Sequence, residues 1–106
     1  MTVSTHVLDA VHGGPARGVG VRLERVDGTL LAASVTDGDG RVGEFAGELE
    51  PGIYRLRFDV ETYWGSNGGA TFYPEVLVTF RISDGTAKHH VPLLLSPYSY
   101  STYRGS

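Results

Sequence analysis

The chain has 106 residues, a formal net charge of −3, no cysteine, and 41% hydrophobic and 20% charged side chains. That is room for one domain, residues 1–106, with a single modest core and the composition of an ordinary soluble globular protein. Mild acidity argues against a nucleic-acid partner, no apolar run approaches the roughly 18 residues of a membrane span, and the lack of cysteine excludes disulfides, thiol nucleophiles and thiolate metal sites.

Period-two alternation runs through the chain, broken at short intervals by turn residues. Val19, Val21 and Leu23 alternate with Gly20, Arg22 and Glu24; Tyr54, Leu56, Phe58 and Val60 with Arg55, Arg57 and Asp59; Val76, Val78, Phe80 and Ile82 with Leu77, Thr79 and Arg81. Such stretches are half-buried antiparallel strands with one dry and one wet face. Gly13-Gly14-Pro15, Asp27-Gly28, Asp37-Gly38-Asp39-Gly40, Pro51-Gly52, Asp84-Gly85 and Ser96-Pro97 punctuate them. In chain order the strands fall near 3–10, 19–26, 30–36, 41–47, 53–60, 75–82, 87–95 and 98–104. The segment 61–69 has room for one short helix turn, weakened by Gly65, Gly68 and Gly69. Eight short strands at this spacing predict an all-β, two-sheet antiparallel sandwich.

The candidates for chemistry are histidines and arginines. His12, in the turn beside Gly13, reads as a solvated loop histidine. His6 lies within the first strand. His89 and His90 are adjacent and must point to opposite faces of theirs. His89 shares parity with Val91, Leu93 and Leu95, the more apolar set, so His90 belongs to the outer face with Pro92 and Leu94. That outer face, extended by Ser101 and Tyr103, is too apolar for plain solvent and marks an interface or groove. Arg41 follows the Asp37–Gly40 turn. A calcium loop there would want an oxygen ligand at position 41 and glycine at 42, and it has arginine and valine. No Gly-x-Ser-x-Gly elbow supports a Ser-His-Asp triad built on Asp9. Adjacent histidines diverge, so a zinc site from His6, His89 and His90 is disfavoured, although His6 and His90 together could capture a metal adventitiously.

Three segments carry a resemblance. His90-Val91-Pro92-Leu93-Leu94-Leu95-Ser96-Pro97-Tyr98-Ser99-Tyr100-Ser101-Thr102-Tyr103-Arg104-Gly105-Ser106 resembles the C-terminus of the transthyretin-like family, and its last four residues resemble the enzymatic branch, the 5-hydroxyisourate hydrolases of urate breakdown. Ser4-Thr5-His6-Val7-Leu8-Asp9 is similar to that branch's opening motif, and Val7–Val11 with Gly14-Pro15-Ala16 to the first strand and turn of transthyretin. The resemblance covers essentially the whole chain, except that residues 61–73 follow no family motif.

It implies a homotetramer whose sheet faces line a channel, with His90 and Arg41 looking into it. It also implies hydrolysis of 5-hydroxyisourate to 2-oxo-4-hydroxy-4-carboxy-5-ureidoimidazoline, with no cofactor. Water attacking a ring carbonyl needs a base effective near neutrality, which histidine supplies, and a cation for the developing oxyanion. Forked arginine donors also match a flat heterocycle rich in acceptors. By this resemblance His6, His90, Arg41 and Ser106 are catalytic, and His6, Arg41, Tyr103 and Arg104 bind substrate. Which histidine is the base stays open.

Two rivals remain. A hormone-carrying module would want apolar or small residues where His6, His90 and Arg104 stand. A secreted adhesion or carbohydrate-binding sandwich would carry a signal peptide or repeated domains. Met1–His6 lacks the basic and apolar regions of a signal peptide, and the last three residues are not the peroxisomal Ser-Lys-Leu, so the expected location is cytoplasmic.

Overall fold

The computed structural model describes residues 3–45, 49–83 and 87–105. In chain order the elements are β1 (Val3–Asp9), β2 (Gly14–Pro15), β3 (Gly20–Arg25), β4 (Leu30–Val35), β5 (Arg41–Phe45), β6 (Gly52–Asp59), α1 (Val60–Ser66), β7 (Val76–Ile82), β8 (His89–Ser96) and β9 (Ser99–Thr102). All eight expected strands are present, with two-residue β2 added where the Gly13-Gly14-Pro15 turn folds back on β1. The expected end of the fourth strand at 46–47 and the Asp84-Gly85 turn lie outside the described residues.

The strands form two sheets. One runs β4-β3-β6-β7, antiparallel throughout; the other runs β2-β1-β8-β9, with β5 also paired to β1. One pair departs from the antiparallel expectation: β1 and β8 run parallel, Val3 opposite His89 through Asp9 opposite Leu95. Local alternation cannot report this, because a parallel partner must come from a distant part of the chain.

Between the sheets lie Val3 and Val7 of β1, Val21 and Leu23 of β3, Leu56 and Phe58 of β6, Val76 and Ile82 of β7, and Val91, Leu93 and Leu95 of β8, all buried. Each such side chain contributes about 1.5–3 kcal/mol by leaving water. The alternation misplaces one residue. Glu24, expected on a wet face, is only 3% exposed. Arg57 on the neighbouring strand β6 donates to both its carboxylate oxygens, at 3.1 and 3.2 Å, and Arg57 also pairs with Glu75. The Arg57 bonds, with the nearby arginine charges, hold the Glu24 carboxyl below its ordinary range despite burial.

α1 is longer than the expected single turn. Asp59 accepts from the Thr62 backbone N–H at 3.2 Å and from its hydroxyl at 2.8 Å, which caps the helix start. Val60, Tyr63 and Trp64 form its buried stripe, the i, i+3, i+4 spacing of one helix face. Gly65 sits within the helix at the ordinary entropic cost of about 0.5–1 kcal/mol relative to alanine, although a Cβ there would meet nothing. The helix stops where Gly69 takes a positive φ and donates to the Trp64 carbonyl at 2.8 Å.

This helix ties down the end of β1. Asp9 is 1% exposed, and it accepts from the Tyr63 hydroxyl at 2.6 Å and from the backbone N–H groups of Val11 and His12 at 2.9 Å each. The His12 ring binds the same carboxylate and stacks on Trp64. His12 lies in the β1–β2 turn with its side chain 56% exposed, a loop residue as read, and it also fastens that turn to α1. Among the described residues no helix is long and apolar enough to cross a membrane.

Candidate active site

Because β1 and β8 are parallel neighbours in register, their residues sort cleanly by parity. Val3, Thr5, Val7 and Asp9 are buried, as are His89, Val91, Leu93 and Leu95. Ser4, His6 and Leu8 therefore share the outer face with their register partners His90, Pro92 and Leu94. On the other edge of β1, β5 sets Arg41 directly opposite His6. Three strands thus bring His6, His90 and Arg41 onto one sheet face, His90 one ladder step diagonal from His6.

Arg41 is positioned by the turn before it. One Asp37 carboxylate oxygen accepts from the backbone N–H groups of Asp39 at 2.9 Å and Arg41 at 3.0 Å. Those bonds pull the Asp37 carboxyl below its usual range. The carboxylate is spent on closing the turn, a function common for Asp there. Gly40 has φ +73°, and any side chain on it would run into the Val7 carbonyl oxygen and the Ala16 backbone nitrogen. Its own carbonyl accepts from the Val7 N–H at 2.7 Å. Only glycine lets this turn lie so close to β1.

The His90 ring is held from two sides. Its Nδ1 lies 2.8 Å from the Ser4 hydroxyl oxygen. On the other side the chain leaving β9 returns to β8, and the Gly105 N–H donates to the His90 carbonyl at 2.9 Å. A Cβ on Gly105 would overlap the His90 Cδ2. The tail also covers Pro92, which is buried although it belongs to the outer face. Burial, and then the positive charges of Arg41 and His6, depress the His90 pKa below the ordinary histidine value. At neutral pH the ring is therefore uncharged and carries a lone pair.

The expected strand through residue 104 ends at Thr102; Tyr103 and Arg104 leave the ladder and are exposed. They line a hollow of about 210 Å³ with Phe80, Arg81, His90 and Thr102. His6 and Arg41 stand outside that hollow, on the adjoining open face. Ser106 lies outside the described residues. A larger cleft, about 430 Å³, opens on the other sheet beside Arg22, Arg57, Asp59 and Glu75. It holds none of the expected site residues, and its Arg57 is already committed to Glu24 and Glu75. The larger cavity is thus not where the histidines are.

Asp9 does not complete a triad with His6 or His90, since it faces the core and binds Tyr63 and His12 instead. Among the described residues no three His, Cys, Asp or Glu side chains converge as a metal site would require. One neighbour of the site went unremarked in the sequence: Ser4. Its parity with His6 places it on the same face, but its partner lies 86 positions away.

Comparison with known proteins agrees with this architecture. A family model described as Transthyretin: HIUase/Transthyretin family matches residues 3–105. A 5-hydroxyisourate hydrolase of Mus musculus is 47% identical over 98% of this chain and 94% of that protein. The structure of Klebsiella pneumoniae 5-hydroxyisourate hydrolase superposes with a TM-score of 0.92 at 38% identity, covering all of both chains. Transthyretin from Sparus aurata superposes at 0.90 with 33% identity, over 98% of this chain and 96% of that one.

Proposed function

The chain belongs to the HIUase/transthyretin family, and from that premise we propose that it is a 5-hydroxyisourate hydrolase working on the sheet face that carries His6, His90 and Arg41. The observation that carries this reading is the convergence of a neutral, partly buried histidine with a second histidine and an arginine on one face. A hormone carrier has no use for a base and cations placed together.

The chemistry follows from those groups. One histidine takes a proton from water as the water oxygen bonds to a ring carbonyl carbon. Arg41 and Arg104 offer donors to the carbonyl oxygen as it becomes an oxyanion, which is commonly the largest single contribution to such catalysis. The tetrahedral intermediate then collapses, the carbon–nitrogen bond breaks, and the proton passes from the imidazolium to the departing ring nitrogen. Tyr103 adds a phenolic hydrogen bond and Ser106 positions water or substrate. No covalent nucleophile is required.

The face is open in a single chain, whereas this chemistry gains from a water-poor setting. We therefore infer that copies of the chain assemble as a homotetramer and close the face into a channel. Exposed Tyr103 beside it supports an assembled state. A reducing, cytoplasmic setting fits the cysteine-free composition. The direct test mixes purified protein with freshly generated 5-hydroxyisourate and follows its ultraviolet absorbance, with sedimentation at micromolar concentration to size the assembly. Decay no faster than in buffer overturns the function, and a fully active monomer overturns the channel.

A further inference from the structure

We propose that Ser4 is a positioning residue that holds His90 as its Nδ1–H tautomer and presents an unprotonated Nε2 to the substrate, which makes His90 the base. The inference rests on the hydrolase reading of this face and adds to it the group that aims the base.

The geometry begins with the ring's perimeter. Nδ1 is taken by the Ser4 hydroxyl at 2.8 Å, and Cδ2 abuts Gly105 so closely that no side chain fits between them. Of the five ring atoms only Cε1 and Nε2 are left to meet a ligand. Rotating the ring would break the Ser4 bond or drive the imidazole into the tail.

A hydroxyl can donate or accept, so the bond alone permits either tautomer. The charges around the ring choose between them. Besides Ser4, β1 presents His6 to this face; β5 presents Arg41; Arg81 of β7 and Tyr103 and Arg104 of the tail line the adjoining hollow. His89, next along β8, faces the core. Among the described residues the charged side chains of that set, Arg41, Arg81 and Arg104, are cationic, and the Asp37 carboxylate near Arg41 accepts from the backbone N–H groups of its own turn. A lone pair directed among cations is favoured over an N–H bond directed at them, so Nε2 is bare and Nδ1 carries the hydrogen. Ser4 then accepts from Nδ1, and the tautomer is set by the partner of the opposite nitrogen, as is usual for functional histidines. When Nε2 takes the proton from water, the Nδ1–H···Oγ bond strengthens with the charge on the ring, so Ser4 also stabilises the imidazolium.

The test separates this inference from the functional reading. Long-range ¹H–¹⁵N correlation spectra at pH 8, with the His90 signals identified by their loss in His90→Gln, report the tautomer without substrate. Wild type should show a protonated Nδ1 and a bare Nε2, Ser4→Ala should shift population toward Nε2–H, and Ser4→Thr should keep the wild-type pattern. In turnover, Ser4→Ala should lose about tenfold in kcat with little change in KM, a modest part of what a general base contributes, and Ser4→Thr should recover it. The acid limb of the kcat profile should persist in Ser4→Ala. A wild-type ring protonated at Nε2, or a Ser4→Ala ring with unchanged tautomer and full kcat, overturns the proposal. A correct tautomer in a protein that leaves 5-hydroxyisourate untouched would overturn the functional reading instead.

Discussion

Substituting Gly105 by alanine is the most searching perturbation of this site. The backbone there does not have a positive φ, so alanine meets no conformational penalty. The whole effect comes from contact. Its Cβ would fall within 3.0 Å of His90 Cδ2, with Cγ at 3.1 Å and the Pro92 Cγ at 3.2 Å. Restoring ordinary separation requires the imidazole or the tail to move by about 1 Å, a misplacement that can cost on the order of 10² in rate. Stability should change little, since alanine restricts the unfolded chain by about 0.4–1 kcal/mol in the variant's favour and offsets part of the clash. Steady-state kinetics on folded protein, with a matched thermal midpoint, is the assay. The expected result is a kcat reduced about 100-fold at a midpoint within a few degrees of wild type. Wild-type kcat in Gly105→Ala would refute the claim that the tail and the ring constrain each other.

The remaining predictions address the electrostatics, the histidine faces and the β1 anchor. Arg41→Gln removes one of the positive charges that depress the His90 pKa, so that pKa should rise and the acid limb of kcat/KM should move to higher pH; an unmoved limb would remove Arg41 from the ring's environment. His90→Ala should lose on the order of 10² or more in activity while staying folded. His89→Ala should retain more activity and lose stability instead, because His89 is 6% exposed; equal losses in two folded variants would contradict the parity argument. Tyr63→Phe takes a hydrogen bond from the buried Asp9 and should cost about 1–3 kcal/mol in urea unfolding at fixed protein concentration. Burial opposes Asp9 ionisation, but the bonds from Tyr63 and His12 prevail and keep its pKa low. A depressed carboxyl stabilises above its unfolded pKa and loses that contribution as pH falls, so the gap between wild type and Tyr63→Phe should narrow in acid; a gap that widens there would contradict this account.

Sequence alone determined whatever depends on neighbours a few residues apart. The two-residue period of β3, β6, β7 and β8 identified the strands and their dry faces, and it separated His89 from His90, because consecutive strand residues cannot share a face. Turn residues located the breaks, and the terminal motifs carried the family. Long-range pairing required the tertiary structure. Parallel β1 and β8 join residues 86 positions apart, and only that register sets Ser4 on the His90 ring. Glu24 followed the wet alternation of β3, yet is buried because Arg57 arrives beside it from β6. His12 is the exposed turn residue its neighbours suggested, but only the tertiary structure shows α1 bringing Trp64 beside it and Tyr63 onto the same carboxylate. Alternation states which way a side chain points; which charge or hydroxyl waits there is decided by chain segments that the local pattern does not contain.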